Sequence, residues 1–178
     1  VHAKYSPIHL EEFGAMPAIV SIVGNSDAGK TTLLEKLVAE LTARGYRVGT
    51  VKHDIHGFDI DHEGKDSWRH KQAGAHTVVI SSPMKVAVVK DAETEETLDG
   101  LASKYFQDVD LILTEGYKKE DKPKIEIFRS RVHKTPLLGG NEHLAALVSD
   151  TRLDLGVPLF DLDDTAGLAD FVERTFLS

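Results

Sequence analysis

Residues 18–31 constrain the fold more than any other stretch of the chain. The apolar, β-branched run Ala18-Ile19-Val20-Ser21-Ile22-Val23 leads without a break into Gly24-Asn25-Ser26-Asp27-Ala28-Gly29-Lys30-Thr31, which fits G-x-x-x-x-G-K-[ST]. Such a run is the kind of strand that is buried on both faces of a parallel sheet. Apolar residues then recur at helical spacing through residues 30–44 (Leu33, Leu34, Leu37, Val38, Leu41), with Gly45 as the stop. Strand, glycine-rich turn and amphipathic helix in this order make a phosphate cradle. Backbone N–H groups converge on a β-phosphate, the glycines let the loop curl, and the helix adds its positive end. The expected nucleotide contacts are Gly24, Asn25, Ser26, Asp27, Ala28, Gly29, Lys30, Thr31 and Thr32. Lys30 reaches the β- and γ-phosphates and the Thr31 hydroxyl ligates Mg²⁺. Asp27 is an odd occupant, since a carboxylate is tolerable in an anion-binding loop only if it faces solvent.

The rest of the chain alternates strand and helix. Strands are expected over residues 46–51, 111–114, 125–129, 144–148 and 159–161, and helices over 67–73, 93–106 and 166–177. Residues 76–80 and 85–89 read as a hairpin joined by Ser81-Ser82-Pro83-Met84. The fold class is therefore α/β: a three-layer P-loop NTPase with a mostly parallel sheet and an inserted β-hairpin. Residues 17–178 form one nucleotide-binding domain, and residues 1–16, which lack any clear period, form an N-terminal tail or expression remnant.

A P-loop needs carboxylates at the ends of neighbouring strands to hold its metal. Asp54 follows the second strand, and Glu115 follows residues 111–114 with Gly116 behind it, where a backbone N–H can approach the γ-phosphate. The metal set is thus Thr31, Asp54 and Glu115. No N-K-x-D stands near the C-terminal strands; Asp150 offers a carboxylate that could accept from guanine N1 and N2, or simply cap a turn.

The loop after Lys52 gathers His53, His56, His62 and His70, four of the nine histidines, with Asp54, Asp59, Asp61 and Asp66. It reads as a transition-metal site, as a mobile loop lining the γ-phosphate, or as a solvated loop before a helix capped by Asp66 or Ser67. Trp68, the sole tryptophan, reads as core beneath this loop or as a stacking platform for a planar ligand. Lys118, Lys119, Lys122 and Lys124 form a solvated face or a dock for a second phosphorylated group.

Composition narrows the class. With 29 acidic against 21 basic side chains the net charge is −8, which argues against sequence-independent nucleic-acid binding. The absence of cysteine removes disulfides, thiol catalysis and Cys-based metal sites. No apolar run approaches the roughly 20 residues of a bilayer span, and no secretory signal is visible. Cytoplasmic residence is expected, without nucleic-acid or membrane partners.

Several blocks together resemble the molybdopterin-guanine dinucleotide biosynthesis protein MobB family. They are residues 24–32, Lys52-His53-Asp54, His56-Gly57-Phe58-Asp59, Gly64-Lys65-Asp66-Ser67, Ala73-Gly74-Ala75, Thr114-Glu115-Gly116-Tyr117-Lys118 and Pro123-Lys124-Ile125-Glu126. The resemblance implies a cytoplasmic, homodimeric, Mg²⁺- and GTP-binding adaptor with weak GTPase activity. It implies a fold like dethiobiotin synthetase and a partner, a MobA-type guanylyltransferase that attaches GMP to molybdopterin; molybdopterin itself is a further candidate ligand. It also strengthens Asp54 as a metal ligand. Asn25 departs from relatives that carry an extra P-loop lysine there.

The leading expectation is accordingly an adaptor in molybdenum cofactor maturation, at most a weak GTPase. No residue stands out as a water-orienting base, although His53 and Asp59 are the best candidates near the attacking water, and no arginine is clearly placed as a finger. An ATP-dependent synthetase or small-molecule kinase on the same fold is the alternative, motivated by the Glu115-Gly116 turn and its lysines. A metallochaperone GTPase, suggested by the histidines, is disfavoured by the missing cysteine and N-K-x-D.

Overall fold

The computed structural model describes residues 16–54 and 57–177. The chain divides into two compact units, Val1–His53 with Leu101–Ser178, and Asp54–Gly100. The expected tail, residues 1–16, lies outside the described residues except for Met16.

The first unit is built on a sheet of six strands: β1 (Ala18–Val23), β2 (Val48–Lys52), β5 (Leu111–Glu115), β6 (Lys124–Phe128), β7 (Leu144–Ser149) and β8 (Leu159–Phe160). Their order across the sheet is β2-β5-β1-β6-β7-β8, and every pairing is parallel. Helices α1 (Lys30–Ala43) and α4 (Thr165–Phe176) cover one face. There Leu33, Leu37, Leu41, Leu168, Ala169 and Val172 pack on Val20, Ile22, Leu111, Leu113, Ile125, Ile127, Ala146 and Val148. Alternation along the strands puts the next residues on the opposite face, and the buried polar residues gather there: Ser21, Thr114, Lys124, Glu126 and Ser149.

On that second face, buried polar groups hold neighbouring loops. The Thr114 hydroxyl donates to Ser21 Oγ at 2.9 Å. The Lys124 ammonium donates to the carbonyls of Glu120 and Lys122, and burial lowers its pKa from the ordinary lysine value. The Glu126 carboxylate accepts from the backbone N–H of Leu137 and of Leu138. Lys124 therefore cannot belong to a solvated or phosphate-docking cluster: its charge is spent inside the fold. Lys118 and Lys119 remain exposed and Lys122 is half-buried.

The second unit contains α2 (Asp66–Gln72) and a two-stranded antiparallel sheet of β3 (Thr77–Ser81) and β4 (Val86–Lys90). Helix α3 (Leu98–Tyr105) returns the chain to the first unit. The hairpin stands as expected, but the helix expected from residue 93 begins five residues later. The Thr97 hydroxyl accepts from Gly100 N–H at 3.1 Å and caps the helix there, a local competition that apolar spacing does not register. Helix α2 starts after Lys65 with no side-chain cap, so neither Asp66 nor Ser67 plays that part. Trp68 on this helix is only half-buried, because α2 has no buried residue.

Candidate functional site

The parallel order places β1 between β5 and β6, with the chain leaving β1 for α1 and β2 on one side and β6 to β8 extending the other. Ligands of open α/β sheets bind at the carboxyl ends of strands at such a reversal. Here that position is taken by the loop between Val23 and Lys30. At Gly24 a Cβ would stand 2.5 Å from the Ile127 carbonyl oxygen, so only glycine lets the chain leave β1 beside β6. Gly29 caps α1 with φ +98°, a left-handed conformation unfavourable to other residues. The Lys30 ammonium lies back along the loop, donating to Gly24 O at 3.1 Å and Asn25 O at 2.9 Å. Asp27 has φ +60° and is exposed, the arrangement in which its carboxylate costs an anion site least. Ser26, Thr31 and Thr32 are exposed at the same end of the sheet, while Ala28 is buried beneath the loop.

On the β5 side, Thr31 Oγ1 donates to Glu115, with its oxygens at 3.0 and 3.1 Å. Thr31 heads α1 and Glu115 ends β5, so two elements far apart in sequence deliver a hydroxyl and a carboxylate to one point. Oxygen donors of this kind are the ligand type that a hard cation such as Mg²⁺ takes. The Gly116 N–H, expected to face the terminal phosphate, instead donates to Ile22 O at 3.2 Å, because the turn prolongs the contact of β5 with β1. The His53 N–H donates to Glu115 O at 3.1 Å, and its ring stacks on Tyr117 with centroids 4.8 Å apart. Asp54 opens the second unit and is exposed, as is Asp59; His56 lies outside the described residues. Among the described residues no group of three His, Asp or Glu side chains is arranged to hold a metal ion.

On the β6 side, Asp150 Oδ1 accepts from the Ser130 N–H at 2.8 Å. That bond holds its carboxyl below the ordinary range. Asp150 also lines, with Thr151, Arg152, Leu159 and Asp161, an open cleft of about 270 Å³. Two residues that sequence reasoning passed over meet the loop here. The Arg129 guanidinium lies against Gly29, where a Cβ would be 3.1 Å from Nη2, and a ring nitrogen of His133 is 2.7 Å from Ser26 O. Their signal in the sequence is slight: a basic residue directly after the strand that flanks β1.

The chain is similar over most of its length to known proteins. The family profile for "Molybdopterin guanine dinucleotide synthesis protein B" matches residues 19–150. The molybdopterin-guanine dinucleotide biosynthesis adapter protein of Escherichia coli K12 is 42% identical over 161 residues, covering 88% of this chain and 92% of that protein. The adapter protein of the same name from Haemophilus influenzae is 39% identical over 157 residues, covering 88% of each. The crystal structure of Bacillus subtilis MobB superposes with a TM-score of 0.72 at 25% identity, over 89% of this chain and 98% of that one. The matched residues run from β1 through Asp150, taking in the phosphate loop and the carboxyl ends of the strands beside it, and on that evidence the chain belongs to the MobB family.

Proposed function

We propose that this chain is a Mg²⁺- and GTP-binding adaptor of molybdopterin guanine dinucleotide synthesis, acting in the cytoplasm with a MobA-type guanylyltransferase. The observation that carries the reading is the pairing of Thr31 with Glu115 at the head of a P-loop whose lysine lies along the loop carbonyls. The loop amides and Lys30 bind the phosphates, while Thr31 and Glu115 hold the metal. When bound, Mg²⁺ offsets the charge of the β- and γ-phosphate oxygens. Hydrolysis is slow in this reading, because the ring of His53, a candidate base for water, is stacked on Tyr117. Asp150 lines the cleft, and a carboxylate there, able to accept from guanine N1 and N2, supports GTP over ATP.

The chain works as a homodimer in this reading. Val79, Val86 and Val88 lie on one face of the hairpin at 57, 68 and 47% exposure, an apolar stripe suited to a second copy.

Reconstituted attachment of GMP to molybdopterin with purified guanylyltransferase tests the function. Wild-type chain stimulates product formation, and Lys30→Ala abolishes the stimulation together with GTP binding by calorimetry. Equal stimulation by Lys30→Ala would show that nucleotide binding is not how the protein acts. Tighter binding of ATP than of GTP would favour the synthetase or kinase alternative.

A further inference from the structure

The backbone at Asp27 is the costly part of the phosphate loop. Asn25 O accepts from Ala28 N–H at 3.3 Å, and of the two residues between them only Asp27 is left-handed, with φ +60°. That combination is a type II turn, whose third position favours glycine or asparagine. For an aspartate a competing conformation exists, the type I turn. There its φ is negative and the Ser26–Asp27 peptide is rotated by roughly half a turn.

The orientation of that peptide matters to an anion. Left-handed residues recur along the loop, Asp27 at φ +60° and Gly29 at φ +98°, before Lys30 enters α1. Such alternation gathers successive N–H groups into one anion-receiving concavity. The Asp27 N–H is the first donor of the series. Rotation of the peptide would put the Ser26 carbonyl oxygen in its place, a negative pole facing a phosphate.

One side chain opposes the rotation. His133 Nε2 is 2.7 Å from Ser26 O, and because a carbonyl only accepts, that nitrogen carries the hydrogen. A trans peptide points its C=O and its N–H in opposite directions, so holding Ser26 O toward His133 aims the Asp27 N–H away from it. The segment that presents His133 is itself braced. Its first turn is closed by the N–H groups of Val132 and His133 on Arg129 O, both at 3.0 Å. Ser130 N–H donates to Asp150, and the buried Glu126 carboxylate accepts from the N–H groups of Leu137 and Leu138.

Building on the nucleotide-binding reading above, we propose that His133 is a positioning residue for the phosphates: its ring N–H holds the Ser26 carbonyl and keeps the Asp27 amide turned to the anion, against the preference of Asp27 itself. It acts through the loop and not on the ligand.

A double-mutant cycle read by calorimetry, with Mg²⁺ and either GTP or inorganic triphosphate, tests this. His133→Ala is expected to weaken both ligands alike by about fivefold, the size of one hydrogen bond. His133→Gln, whose amide N–H can reach the same carbonyl, restores most of the loss, and His133→Phe restores none. In an Asp27→Gly background the turn needs no support, and His133→Ala is expected to cost less than about twofold. In an Asp27→Ala background, which also lacks the carboxylate but keeps the Cβ, the full cost returns. An undiminished loss in the glycine background would place His133 on the ligand and overturn the proposal. Disappearance of the loss in both backgrounds would trace it to the Asp27 carboxylate, and weakening of GTP without triphosphate would trace it to the nucleoside; either result overturns it as well. Thermal melts report whether each variant is folded, and if His133→Ala is not, the contrast of His133→Phe with His133→Gln carries the same comparison. A wild type that binds neither ligand would remove the nucleotide-binding reading itself, whereas one that binds both and is indifferent to His133→Ala would overturn this inference alone.

Discussion

At the scale of single residues, charged side chains do two different jobs in this protein, and only one is visible in a motif. Lys30 and Thr31 stand in a G-x-x-x-x-G-K-[ST] pattern that the sequence displays openly, and Glu115 is marked by its place at the end of an apolar run. Lys124 and Glu126 look like surface residues in the sequence, yet both are about 1% exposed and hold backbone groups of neighbouring loops. Nothing local distinguishes them, because their partners are fixed by how loops cross the sheet. Arg44 is a third case: its guanidinium joins Glu40, Asp170 and Glu173, tying the end of α1 to α4, and Tyr46 donates to Glu173 at 2.7 Å. These bonds lower the Glu173 carboxyl below its ordinary value and raise the Tyr46 hydroxyl above 10. A depressed carboxyl stabilises the fold above its unfolded pKa, and that contribution fades as pH falls through the folded value. A raised phenol stabilises below pH 10 and is lost as pH rises through its folded value. Glu173→Gln should therefore lower the melting temperature near neutrality and flatten its fall on both the acid and the alkaline side, as a series of thermal melts from pH 2 to 11 would reveal.

At the scale of elements, what was legible was what periodicity writes down. Helix α1 shows its apolar stripe openly, and the strands β1, β5 and β7 announce themselves as predominantly apolar runs, because they are buried on both faces. The beginnings of α2 and α3 were misplaced or misattributed, since a cap depends on one side chain reaching one N–H rather than on a period. The stripe on α1 carries the energy of the first unit. Leu37 is fully buried between the sheet and α4, so Leu37→Ala should cost about 2–5 kcal/mol in a denaturant titration, the range for a large cavity in a tightly packed core. The phosphate loop, anchored at both ends by β1 and α1, should lose nucleotide affinity in proportion to the unfolded fraction rather than before it.

At the scale of the whole molecule, the chain is two compact units, a division that the even alternation of strands and helices hides. The second unit is small, with a hairpin whose outward valines have no cover of their own. Val88→Glu, opposite Val79 in the hairpin register, puts a charge in the middle of that stripe. Sedimentation should then show the variant as a monomer where the wild type is a dimer, with nucleotide affinity per chain unchanged. A wild type that sediments as a monomer would leave the stripe to a different protein.

The link from β5 to β6 passes from Glu115 to Lys124 across the end of β1, and both strands meet β1 at nearly the same level, Glu115 beside Ile22 and Lys124 beside Ser21. Eight residues bridge only two strand spacings, about 10 Å, far less than such a chain can reach, and the excess is gathered in by the Lys124 ammonium on its carbonyls and by Pro123 O accepting from Ser21 N–H at 2.9 Å. The link is thus a folded clasp closed by its own lysine, with length in reserve. A shift of Glu115 toward the proposed metal can be taken up there, which leaves β6, the strand that leads into Arg129, in place.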